Sequence, residues 1–95
     1  MKPVVLAKRA EEEMQAAASY YEERLNGLGN RFLDEVLLTG RRIVEQPEAW
    51  PIISGRIRRC LLQRFPYGLL YRLEANRIYL LAVMHLRRNP NYWQK

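Results

Sequence analysis

Residues 67–85 read YGLLYRLEANRIYLLAVMH, the strongest strand signal in the chain. Two runs of aromatic and aliphatic residues, Tyr67 to Leu73 and Arg77 to His85, are separated by a short polar segment. Runs of this length and composition are typical of buried strands. In the segment between them, Asn76 tolerates a positive φ, and Glu74 can pair with Arg77 across the turn. The stretch therefore predicts a β-hairpin.

Further strands are predicted before this hairpin. Ile57 to Arg64 predicts a strand that ends at Phe65-Pro66, because proline lacks the N–H that a sheet ladder needs. Residues 48–55, which follow Pro47, predict a connecting loop. At the start of the chain, Lys2 to Ala7 predicts a short first strand.

The sequence between the first strand and Pro47 has helical periodicity. Apolar residues recur along two stripes: Met14, Ala17, Ala18, Tyr21 and Leu25 in the first, and Phe32, Val36, Gly40 and Ile43 in the second. The glycine-rich segment 26–30 separates the two helices, and we expect Asn30 to cap the second. We expect Gly40 to permit a close crossing with the first helix. The two segments thus predict an antiparallel helical hairpin.

The predicted order is β-α-α-β-β-β in one domain, residues 1–95. A helical hairpin packed on one face of a largely antiparallel sheet gives an α+β fold. We expect the other sheet face to remain open, because so short a chain supplies no second covering layer.

The composition excludes several kinds of site. Cys60, the only cysteine, cannot form an internal disulfide, and with only one histidine a structural zinc site is not expected. The sequence has no glycine-rich phosphate loop and no apolar run approaching the roughly 18 residues of a membrane span. We therefore expect a cytoplasmic protein that uses neither a metal nor a small-molecule cofactor and does not bind a membrane.

The net charge of +6 lies entirely in the second half of the chain. Residues 1–47 carry 7 Lys/Arg against 8 Asp/Glu, whereas residues 48–95 carry 9 against 2. This asymmetry is typical of a protein with a polyanionic partner, either nucleic acid or an acidic protein segment. A solubilising basic surface is the alternative.

Two groups of residues are candidates for function. Arg58, Arg59, Arg64 and Arg72 are candidate nucleic-acid-binding or target-binding residues, since arginine binds phosphate and carboxylate through two parallel hydrogen bonds. They are alternatively charges that protect sheet edges. His85, Arg87, Arg88 and Tyr92 are the candidate catalytic set of a nuclease, with His85 as acid or base. The alternative for His85 is a structural hydrogen bond at a strand end.

Several motifs, in this order, resemble the RelE/ParE toxin superfamily of bacterial toxin–antitoxin pairs. They are Arg58-Arg59, Arg64-Phe65-Pro66-Tyr67, Leu70-Tyr71-Arg72, Ile78 to Val83, and His85 followed by Arg87-Arg88-Asn89-Pro90 and Trp93. The first half agrees through Tyr20-Tyr21-Glu22, Leu28-Gly29, Phe32 and Pro47. The resemblance covers essentially the whole chain.

The resemblance implies the same order of elements and a protein partner, an antitoxin whose C-terminal segment neutralises the toxin. The open sheet face and the groove beside the helices are its expected docking surfaces. RelE-like members cleave mRNA in the ribosome, whereas ParE-like members poison DNA gyrase.

A RelE-like active site usually has an arginine where this chain has Gly68, and the 65–67 motif and the tail from His85 to Trp93 look ParE-like. We therefore favour a growth-inhibiting toxin that poisons gyrase. A ribosome-dependent mRNA endoribonuclease and a non-catalytic nucleic-acid-binding module remain alternatives.

Overall fold

The computed structural model describes residues 2–87, which form two helices and a five-stranded sheet. The elements are β1 (Val4–Leu6), α1 (Lys8–Arg24), α2 (Leu28–Glu45), β2 (Ile52–Ser54), β3 (Ile57–Leu61), β4 (Tyr67–Leu73) and β5 (Ile78–His85). The strand order across the sheet is β1-β5-β4-β3-β2, with β1 parallel to β5 and every other pair antiparallel. The predicted α+β class is confirmed, with one strand more than the sequence indicated.

The additional strand lies within residues 48–55, where a loop was predicted. Ile52 pairs with Arg58, and the Arg59 N–H donates to the carbonyl of Pro51 at 3.0 Å. This edge strand has only three residues, too few for alternation to be visible in the sequence. The strand β3 in turn ends at Leu61, before the predicted Arg64, because the chain turns at residues 62–67.

The β4–β5 hairpin forms as predicted, and Glu74 pairs with Arg77 across its turn as expected. The Glu74 N–H donates to the carbonyl of Arg77, but no residue except glycine has a positive φ within residues 2–87, so the tolerance of Asn76 is not used. Strand β5 has a bulge at Leu81, where the register shifts. Beyond the bulge, the N–H of Val83 donates to a carboxylate oxygen of Glu13 on α1 at 3.0 Å.

The junction of the two helices depends on the two glycines of the predicted segment 26–30. Gly27 has φ +90° and precedes α2, so Asn30 lies inside that helix and does not cap it. A Cβ on Gly29 would lie 2.6 Å from the carbonyl oxygen of Ala18, so Gly29 makes the close approach to α1. The expectation for Gly40 was wrong, because a Cβ there would meet no atom within 4 Å.

Both helices cover one face of the sheet, and the main core lies between the two layers. Its largest fully buried side chains include Tyr71, Phe32, Ile43 and Leu69. A smaller apolar cluster, formed by Ile57, Leu70, Ala82 and Met84, lies on the opposite sheet face. We call this the distal face, and no helix of residues 2–87 packs on it.

Candidate functional site

The distal face is defined by strand alternation. In β4, Leu69 and Tyr71 face the helices, so Gly68, Leu70 and Arg72 point to the distal face. Arg59 pairs with Leu70 and shares its face. Of the four arginines predicted to bind a target, Arg59 and Arg72 are therefore brought together on this face.

The side chain of Arg59 lies across Gly68 on the neighbouring strand. A Cβ built on Gly68 would be 3.0 Å from Cγ and 3.1 Å from Cδ of Arg59. The aliphatic stem of the arginine thus occupies the space that a side chain at position 68 would need. The Arg59 side chain is half-buried, and its Nε is buried without a hydrogen-bond partner.

Arg72 is bound internally at the rim of the distal face. Its Nε donates to a carboxylate oxygen of Glu74 at 2.7 Å, and the other oxygen of Glu74 accepts from Arg77. Both guanidinium groups lie over the Tyr79 ring, at 5.4 Å for Arg72 and 4.6 Å for Arg77. These hydrogen bonds, first from Arg77 and then from Arg72, lower the pKa of Glu74. The cluster stays charged, and Glu74 offsets much of its positive field.

Arg58 and Arg64 do not join the distal face. Arg58 pairs with Tyr71 in the register and points to the helical side, where its Nη1 donates to the carbonyls of Glu48 at 3.0 Å and Trp50 at 2.7 Å. It thereby fixes the loop between α2 and β2. Arg64 lies beyond the end of β3, and its backbone N–H donates to the carboxylate of Glu35 at 2.6 Å.

His85 lies on the helical side of the sheet, away from Arg59. It pairs with Tyr67, and the two rings meet edge to face with centroids 5.0 Å apart. Its Nδ1 accepts a hydrogen bond from the exposed Arg87 N–H at 3.1 Å, which is the structural hydrogen bond considered as its alternative role. The other two candidate catalytic residues, Arg88 and Tyr92, lie outside the described residues.

An apolar groove runs between α2 and the edge of the sheet at β1. It has a volume of about 510 Å³ and is lined mainly by Val4, Leu6, Met14, Val36, Leu37 and Leu80. Leu37 is 63% exposed, unusually high for a leucine beside other apolar side chains. The open space above Gly40 forms part of the same groove.

A second groove, of about 810 Å³, lies on the other side of α2, against residues 63–66. Leu38 lines it and is 56% exposed. Its rim is charged, with Arg31, Arg42 and Glu35 among its residues. The two adjacent leucines of α2 therefore face different grooves.

Within residues 2–87 no group of three or more His, Cys, Asp or Glu side chains lies close enough together to hold a metal ion. In the same range, neither helix is long and apolar enough to cross a membrane.

The fold and the order of motifs can be compared directly with known proteins. A family model described as the ParE toxin of the type II toxin–antitoxin system parDE matches residues 4–90. The chain belongs to the ParE toxin family. Toxin ParE2 from two strains of Mycobacterium tuberculosis, CDC 1551 / Oshkosh and ATCC 25618 / H37Rv, is 33% identical over 85 residues, covering 85% of this chain and 78% of the relative. The ParE-like side of the predicted superfamily is thereby confirmed, and the chain is the toxin of a type II toxin–antitoxin system.

A solved structure agrees with the fold of this ParE toxin. The chain matches one titled as the chromosomal ParDE toxin–antitoxin system from P. aeruginosa, with a TM-score of 0.67 over 92% of this chain and 98% of that one. Sequence identity is 15%, so the match concerns architecture. Family membership implies a cognate antitoxin as the partner of this toxin.

Sequence reasoning missed the contact between Arg59 and Gly68. It treated Gly68 as the loss of a functional group, whereas the structure uses that position to accommodate the neighbouring arginine. A signal was present, since glycine inside a strand often marks a close approach by other atoms. Which atoms approach depends on the register between β3 and β4, which the sequence alone does not specify.

Proposed function

We propose that this ParE toxin arrests growth by acting on DNA gyrase in the cytoplasm and does not cleave mRNA. One observation carries the proposal: His85, the only histidine, lies on the helical side of the sheet, whereas Arg59 and Arg72 lie on the distal face. General acid–base cleavage of a phosphodiester needs a proton-transfer group and cationic groups around one phosphate. His85 does not converge on one phosphate with Arg59 and Arg72.

The internal partners of Arg58 and Arg72 also favour a non-nucleolytic toxin. Arg58 is engaged by two backbone carbonyls, and Arg72 is paired with Glu74. Both lose interactions on this chain if they turn to bind a phosphate. Gly68 offers no side chain that replaces them.

The proposal is tested by inducing the toxin in cells and following DNA synthesis, protein synthesis and the DNA-damage response separately. We expect the damage response to rise before translation falls, and His85→Ala to remain as toxic as the unaltered protein. mRNA cut at the ribosomal A site, with toxicity lost in His85→Ala at an unchanged level of folded protein, contradicts the proposal and supports the endoribonuclease alternative.

For the antitoxin, we propose that an amphipathic segment binds in the apolar groove between α2 and β1. Leu37 and Leu6 expose apolar surface there, and burying such surface contributes about 25 cal/mol per Å². The strand β1 is an edge strand, so an extended segment can also pair with its backbone. The net charge of +6 favours an acidic partner.

Adjacent leucines provide a matched test of this groove. We expect Leu37→Glu to weaken neutralisation by the antitoxin by at least about tenfold, and Leu38→Glu to change it little, because Leu38 faces the other groove. Both residues are largely exposed, so neither substitution should disturb the fold. Equal effects of the two variants, or a larger effect of Leu38→Glu, contradict the placement of the antitoxin.

A further inference from the structure

We infer that Arg59, lying across Gly68 on the distal face, forms a binding site for one carboxylate, supplied by an acidic side chain of the antitoxin. This inference rests on the antitoxin partner but not on gyrase as the target. It concerns the sheet face opposite the apolar groove, and therefore requires the antitoxin to contact both layers of the toxin.

The guanidinium group of Arg59 lacks a partner for one of its donors. Its Nε is buried and has no hydrogen-bond partner, an arrangement that is unfavourable for a charged donor. Glu74 forms ion pairs with Arg72 and with Arg77, and neither pair involves Arg59. An incoming oxyanion would supply the missing acceptor.

The packing of Arg59 against its neighbours also preorganises its side chain. Because Gly68 has no side chain, the stem of Arg59 lies flat against β4, with Leu61 also within 3.3 Å of the position a Cβ would take. Packing of this kind restricts the rotamers of a long side chain before any ligand binds. A restricted arginine loses less conformational entropy on forming two parallel hydrogen bonds to a carboxylate.

The residues around Arg59 favour a protein carboxylate over a nucleic-acid phosphate. The surroundings of Arg59 on the distal face are apolar, with Leu70, Ala82 and Met84 all buried. Binding a nucleic-acid backbone requires several free cations at successive phosphates. The next arginine on this face, Arg72, is already paired with Glu74, so it does not supply a free cation for a second phosphate. A single carboxylate flanked by apolar side chains fits one free guanidinium in an apolar setting.

The test measures the affinity of purified toxin variants for the cognate antitoxin and for a 20-base-pair DNA duplex. Arg59→Gln removes the charge, and Gly68→Val displaces the arginine stem without altering the arginine. Arg56→Gln is the matched control, since Arg56 is exposed in the turn between β2 and β3 and its replacement changes the net charge equally. Urea unfolding of each variant confirms that it is folded.

We expect Arg59→Gln and Gly68→Val each to weaken antitoxin binding by about tenfold or more, and Arg56→Gln by less than about threefold. Equal effects of Arg59→Gln and Arg56→Gln overturn the inference. A larger loss of affinity for DNA than for antitoxin in Arg59→Gln also overturns it, in favour of a phosphate site.

A second measurement does not depend on any variant. The Nε–Hε resonance of Arg59 in the unaltered toxin is followed by NMR as antitoxin is added, after assignment by its absence in Arg59→Gln. We expect a shift and slower exchange with water on binding, and an unchanged resonance overturns the inference. Because gyrase takes no part in these measurements, failure of the gyrase proposal would leave their outcome unaffected.

Discussion

Replacing Gly29 by alanine should separate the two helices of the toxin and destabilise it. A Cβ at this position would lie 2.6 Å from the backbone carbonyl oxygen of Ala18 and 3.1 Å from Cβ of Glu22. The first contact is far inside the van der Waals distance and involves backbone of α1, so no side-chain rotation relieves it. Either the helices move apart or α1 distorts.

The magnitude follows from two opposing effects. Alanine is intrinsically better than glycine in a helix by up to about 1 kcal/mol. Overpacking an interface that cannot yield costs typically about 1–3 kcal/mol, and separation of the helices also weakens the hydrogen bond from the Gly29 N–H to Glu22. We expect the second effect to dominate, giving a net loss of about 1–3 kcal/mol in the free energy of unfolding.

Gly40, in the same helix, provides the control because a Cβ there meets nothing within 4 Å. Gly40→Ala should therefore show the helix propensity alone and stabilise the protein by up to about 1 kcal/mol. Equilibrium urea unfolding measures the free energy of unfolding of both variants. The slope of this free energy against urea concentration stays unchanged if the fold is kept. A Gly29→Ala variant as stable as the unaltered protein would refute the close approach of the two helices.

Three further predictions concern stability and reactivity. Glu22→Ala removes the carboxylate that accepts from the N–H groups at the start of α2 and should cost about 1 kcal/mol on urea unfolding, whereas Glu23→Ala, an exposed neighbour, should cost little; equal values contradict this. Burial raises the pKa of Tyr71 to about 12, above the value of about 10 in an unfolded chain, so the folded state holds this proton more tightly and stability falls between these pH values. In the Tyr71→Phe variant, the free energy of unfolding should fall less over this pH range than in the unaltered protein. The same pH dependence in both proteins contradicts the burial of the hydroxyl. Burial also raises the pKa of the Cys60 thiol, so a thiol reagent at pH 8 should react only as the protein unfolds, and rapid labelling of the native protein contradicts this.

Most of the fold could be predicted because its strongest signals are local. The two runs of the β4–β5 hairpin and the two helical stripes are each long enough to show their period, and all four elements formed. The edge strand β2 was missed because its three residues lie beside Pro51, and its pairing with β3 is a long-range property of the folded chain. The order of sheet neighbours likewise became visible only in the structure.

The candidate site was harder to predict than the fold. Arg58 and Arg64 were predicted to bind a target together with Arg59 and Arg72, but the chain leaves the sheet before Arg64, and Arg58 turns to the carbonyls of a nearby loop. The sequence does not show which arginines find partners within the molecule. The role of Gly68 is similarly invisible, because it depends on where the stem of Arg59 lies after folding.

The most direct test of gyrase as the target uses the purified toxin, purified DNA gyrase, ATP and relaxed plasmid. We expect supercoiling to fall and linear plasmid to appear after the gyrase is denatured and digested, with both effects abolished when the cognate antitoxin is added first. Unchanged supercoiling without linear DNA, while the same toxin preparation cuts ribosome-bound mRNA, would contradict the account.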